Sequence, residues 1–200
     1  MKSPSESLDA LLGLIAEQVS GTIYPPGRRT QISLAYFNIT LDHHSAIARL
    51  LDVKLYASAF ALARPMYEAL VKGLWLGHFA TEEEAERHAL GKEIEQITPL
   101  IDQLLGGNLP PVVAHQLRNI KQNYWKALSS LTHAGHTQVR CWLTPTGVAP
   151  SYEPAAIHEL SNFACFMALS AGVEMARLGD NASAVANLSA MLPEHEPNDD

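Results

Sequence analysis

From Val53 to Phe79 the chain places apolar side chains around the whole circumference of a helix, with Lys54, Arg64, Glu68 and Lys72 as its formal charges. A helix that is hydrophobic on every side must be enclosed by other elements, so this stretch predicts the centre of a helical bundle. It does not predict a membrane span. Its most apolar part, Leu55 to Ala63, ends at Arg64 and falls well short of the roughly 20 apolar residues that a bilayer requires. Pro65 sits in the middle, removes one backbone donor and collides with the preceding turn, so a kink is expected there.

The rest of the chain supplies partners for that central helix. Ser3-Pro4-Ser5-Glu6 has the form of a capping box with proline at the first helical position, followed by Leu8, Leu11, Leu12, Ile15 and Val19 at helical spacing to about Ser20. After the Pro25-Pro26-Gly27 turn, a second helix from about Ile32 carries Phe37, Leu41, His44, Ala48 and Leu51 on one stripe. Thr81-Glu82-Glu83-Glu84 starts a polar surface helix, and Thr98-Pro99 starts a short one stopped by Gly106-Gly107. From Pro110 a long helix turns Val113, Leu117, Ile120, Tyr124, Leu128 and Leu131 inward until Gly135 ends or bends it. Thr144-Pro145-Thr146-Gly147 reads as a loop, Glu153 to Leu178 as the last long helix, and Asn181 as the start of a short terminal one. The expectation is one all-α domain over residues 1–193, a bundle of about five long helices plus short ones, with an acidic disordered tail at 194–200.

The formal charge of −7 narrows the partners less than it first suggests. Glu194, Glu196, Asp199 and Asp200 lie in that tail, and without them the body carries −3. Lys and Arg total 14 and form no run beyond Arg28-Arg29, so the basic face of a phosphate-neutralising nucleic-acid binder is not expected. Cys141 and Cys165 form no CxxC pair and read as thiols of a reducing, cytoplasmic compartment. The first residues lack the apolar core of a secretory signal.

Arg64 and Glu68 are one helical turn apart on a face that also holds Ala57, Phe60, Ala61, Val71 and Trp75. Unpaired charges in such surroundings are costly, whereas an i, i+4 Arg–Glu pair satisfies itself. Two readings follow: a structural clamp between helices, or a polar pocket in which Arg64 takes a small anionic ligand positioned by Glu68. Among the nine histidines there is no HExxH, and none has Glu three residues before it, so the simplest zinc and di-iron signatures are missing. His44 reads as a pocket group or as a core histidine with its ring satisfied. His133 and His136, three residues apart, read as a polar pair at a helix end or as groups bonding helix-end carbonyls. There is no GxSxG elbow and no P-loop, and no nucleotide or metal cofactor is expected.

The stretch His43-His44-Ser45-Ala46-Ile47 through Ser58-Ala59-Phe60-Ala61-Leu62-Ala63-Arg64-Pro65-Met66-Tyr67-Glu68-Ala69, then Gly73-Leu74-Trp75, resembles a group of uncharacterised bacterial all-helical proteins. Leu131-Thr132-His133-Ala134-Gly135 resembles that group's second marker. The resemblance implies a bacterial cytoplasmic bundle in which Arg64, Glu68 and His133 are the marked polar positions. More distantly the layout is similar to HEPN domains, some of which are dimeric ribonucleases with an arginine followed after four to six residues by histidine. Arg118-Asn119 has that opening, but Asn123, Tyr124 and Trp125 stand where the histidine belongs.

The leading expectation is therefore a binding module, a homodimer with a polar pocket formed by Arg64, Glu68, His44, His133 and His136. The alternatives are a HEPN-like nuclease with a non-standard site and a metal-dependent hydrolase. Catalytic residues are not identified by the sequence.

Overall fold

A computed structural model describes residues 4–94 and 96–193, with side chains from Leu8 onward. Ser3 of the expected first cap and the tail at 194–200 lie outside the described residues. The chain is all-α: α1 (Pro4–Val19), α2 (Arg28–Asp52), α3 (Tyr56–Ala61), α4 (Ala63–His78), α5 (Glu82–Ala89), α6 (Ile97–Leu105), α7 (Pro111–Asn119), α8 (Trp125–Thr132), α9 (His136–Arg140), α10 (Pro154–Leu178) and α11 (Ala182–Ser189). A π-helical turn, Ile120–Tyr124, joins α7 to α8. The expected loop at 144–147 closes a two-residue hairpin in which Leu143 pairs with Val148 and Thr144 with Gly147.

The central element is α4, which packs on α2, α10 and α6, with α1 closing the bundle against α2 and α10. Close approach of α2 and α4 depends on Gly73, since a Cβ there would stand 2.6 Å from the Phe37 ring. Polar α5 lies on the outside of α2, opened as expected by a capping box in which Thr81 Oγ1 accepts from the Glu84 amide and Glu84 accepts from the Thr81 amide.

Two expectations about the long helices need correction. The stretch from Val53 to Phe79 is not one kinked helix. Val53 to Leu55 form a turn with Lys54 at φ 57°, and the helix then breaks again at Leu62, between α3 and α4. The break lies three residues before Pro65, which puts the proline in the first turn of α4, where its missing N–H would have had no helical partner. The second correction concerns Tyr124, expected inward and found 51% exposed. The π-helical turn adds a residue to its own turn and carries Tyr124 off the inward stripe, while Leu128 and Leu131 beyond it stay buried. Trp125 accordingly takes the half-buried position that an uninterrupted α-helix would have given to Tyr124.

Candidate functional site

Pro65 leaves the Ala61 carbonyl at the end of α3 without a helical donor, and the segment from α8 to α9 docks against α3 there. The Thr132 hydroxyl lies 3.1 Å from the Ala61 carbonyl and 2.9 Å from that of Leu128, and Gln138 Nε2 donates to the Ala57 carbonyl at 3.0 Å. The helix then reverses at Ala134 (φ 52°), and Ser130 Oγ accepts from the Thr137 amide at 3.0 Å to start α9. This junction brings together the two sequence stretches singled out above.

At its centre Arg64 Nε donates to Glu68 Oε1 at 2.7 Å, and Nη1 donates to Ser129 Oγ at 2.7 Å. The same nitrogen lies 3.3 Å from His133 Nε2. Since the guanidinium has no acceptor, that contact is a hydrogen bond only where Nε2 carries the lone pair of the imidazole. The guanidinium carbon stands 4.5 Å from the centre of the Trp125 ring, which meets the Tyr67 ring in a T-shaped contact. Arg64 and Glu68 retain 22% and 28% side-chain exposure, so the pair is half-buried at the surface and not sealed in the core. The contacts of Arg64 in this geometry are those of a clamp between α4 and α8. Held on α4 by Glu68, the arginine orients α8 through the Ser129 hydroxyl and the stacked Trp125 face, which its planar fork can meet together.

The other expected members sit elsewhere. His44 is fully buried, with Nδ1 3.0 Å from the Ala164 carbonyl of α10 and Nε2 3.0 Å from the Leu8 carbonyl of α1. It bridges three helices, and neither ring nitrogen is left for a ligand. His136 is exposed, with Nε2 3.5 Å from the hydroxyl of its neighbour Thr137. Among the described residues, no three His, Cys, Asp or Glu side chains come together as metal ligands, so His43 or His44 with His133, His136 and Glu68, the donors a metal-dependent hydrolase would need here, are not assembled.

The sequence reading missed the concavity on the opposite face of α8. A cavity of about 440 Å³ opens between the α3–α4 junction, the π-helical turn with α8, and the first half of α10. Its walls include Phe60, Leu128, Leu131, Phe163, Phe166 and Met167, and Gln116, Asn119 and Asn162 also face it. None of Arg64, Glu68, His44, His133 and His136 lines it. Helical periodicity explains the separation: Trp125, Ser129 and His133 share one face of α8, while Ala127, Leu128 and Leu131 share the other. The size falls within the roughly 300–1,000 Å³ of small-molecule sites, and the apolar wall with few polar groups has their usual make-up. The π-helical turn at its edge is a local irregularity of the kind that gathers at functional sites.

A second polar cluster lies at the far end of the bundle. Glu174, 3% exposed, accepts from His78 Nε2 at 2.9 Å and from Arg177 Nε at 2.7 Å on the same oxygen. Burial pushes its carboxyl up, but the hydrogen bonds from His78 and Arg177 and their charges outweigh that and hold it below the usual carboxylate value. It ties α4 to α10. Among the described residues no helix is long and apolar enough to cross a membrane.

Residues 37–198 match the model of a family described as a family of unknown function, DUF6988. No curated protein and no solved structure matches the chain.

Proposed function

The chain belongs to the DUF6988 family, and from that premise and the site geometry we propose that it is a small-molecule binding module whose ligand occupies the apolar cavity behind α8. The observation that carries this reading is the division of labour on α8. One face is fastened to Arg64, and the opposite face forms a wall of the cavity. On this reading Arg64 and Glu68 are positioning residues, because the guanidinium commits Nε and Nη1 within the protein. The polar-pocket expectation thus becomes a polar clamp beside an apolar pocket.

The test is titration with N-phenyl-1-naphthylamine, an uncharged probe whose fluorescence rises on transfer from water to an apolar site. Saturable one-to-one binding is expected for the native chain. Ala127→Phe, which projects a ring from α8 into the cavity, is expected to weaken binding at least about tenfold, with the fold retained by circular dichroism. Probe binding that is equal in both proteins, or absent from the native one, would remove the proposal.

A second surface supports the homodimer. Val139, Trp142, Leu143 and Val148, on α9 and the hairpin, are large apolar residues left exposed, an unusual concentration for one short segment. Sedimentation equilibrium is expected to give twice the 21.8 kDa chain mass, and Leu143→Lys to restore the single mass. A native chain that stays at 21.8 kDa at high concentration would end this proposal.

A further inference from the structure

The walls of the cavity also constrain what fills it, and the step that follows rests on the pocket being a ligand site. Phe60, Phe163, Phe166 and Tyr124 bring four aromatic rings to one cavity. Among the described residues Glu159 is the one formally charged residue lining it, and it is exposed on α10. The basic residues of the adjoining segment, Arg118, Lys121 and Lys126, do not line it, and Lys121 is engaged by Asp102.

An aromatic face carries partial negative charge and attracts a cation, most strongly where water is excluded, and a carboxylate at the rim adds to the same sign. An anionic head group would meet Glu159 and the aromatic rings with no basic partner among the described lining residues to compensate its lost hydration. Gln116, Asn119 and Asn162 supply neutral hydrogen-bonding groups of either polarity. We propose that the ligand is a cationic amphiphile, an apolar body bearing a substituted ammonium head, held by the aromatic walls and Glu159.

The assignment is tested by isothermal titration of the full chain at physiological salt with three probes of equal tail: decyltrimethylammonium, decyl maltoside and decyl sulfate, each below its micelle concentration. The ammonium is expected to bind one site about tenfold more tightly than the other two, the scale of a desolvated cation–π contact. Glu159→Gln is expected to lower the ammonium affinity about fivefold and leave the maltoside unchanged. Ala127→Phe is expected to abolish the single-site binding of all three.

Equal affinities, or a preference for the sulfate, overturn the ligand class while leaving the pocket in place. A preference for ammonium that survives Ala127→Phe also overturns it, because the attraction then belongs to the acidic surface at large. If none of the probes saturates a single site, the pocket reading fails and this inference fails with it.

Discussion

Glu174→Leu is expected to lower the free energy of unfolding by about 3 kcal/mol, the low end of what removing one partner from a buried ionic cluster produces. The low end applies because Arg177 keeps 39% side-chain exposure and can turn toward water, whereas His78, at 17%, is largely confined. For a chain of this length the change corresponds to a fall in Tm of about 6–12 °C, measurable by thermal circular dichroism. The same residue sets an acid limb. Its folded-state carboxyl titrates below the ordinary value of 4.5, so the unfolded chain takes up that proton first as pH falls. The stability it supplies is therefore complete above about pH 4.5 and is lost as pH falls through the lower folded value. Urea unfolding of Glu174→Gln should show a flatter decline across that acid window than the native chain. A variant whose Tm and acid limb both match the native protein would show that the trio contributes nothing to stability.

Arg64→Ala is expected to have the largest effect on binding of any residue outside the cavity wall. It removes the Glu68 and Ser129 partners and the stacked Trp125 face together, with a stability loss of about 2 kcal/mol. The more telling consequence lies on the other side of α8. With its fastening gone, the helix that carries Ala127, Leu128 and Leu131 loses its fixed seat, and naphthylamine affinity should fall about tenfold although Arg64 does not line the cavity. Amide exchange along α8 should accelerate in the same variant. Arg64→Lys should fail to restore either property, because an ammonium on a flexible stem lacks the planar fork that meets Glu68 and Ser129 while lying flat on the indole. Unchanged affinity in Arg64→Ala, with α8 amides protected as before, would separate the clamp from the pocket and reduce Arg64 to a local surface contact.

The helical class was legible because its signals are local. The Thr81–Glu84 capping box, the Asn181 cap and the periodic apolar stripes each follow from residues a few positions apart. The Arg64–Glu68 pair was legible for the same reason, as an i, i+4 spacing on one helix. The break at Leu62 was misplaced because proline is tolerated in a first turn, and nothing near Leu62 marks a boundary as sharply as Pro65 does. The π-helical turn has no compositional signature, and its effect is read only from the changed face of Tyr124 and Trp125. His44 lies on the apolar stripe of α2 that the sequence shows, yet its two carbonyl partners are 36 and 120 residues away. The cavity was the least legible feature, because its walls come from side chains on α3, α4, α8 and α10 that look like ordinary core residues one helix at a time. Sequence periodicity reports that a face is apolar and does not report whether a neighbour covers it.

The central claim, that this family member binds its ligand behind α8, is tested most directly by following the amide ¹H–¹⁵N spectrum of the native chain during titration with N-phenyl-1-naphthylamine. The account predicts saturable shifts concentrated at Ile120 to Leu131 and Glu159 to Met167, with weaker shifts at Phe60 and Ala63 and none spreading through α5 or α11. Shifts centred on His136 and the hairpin, or shifts that scatter without saturating, would contradict it.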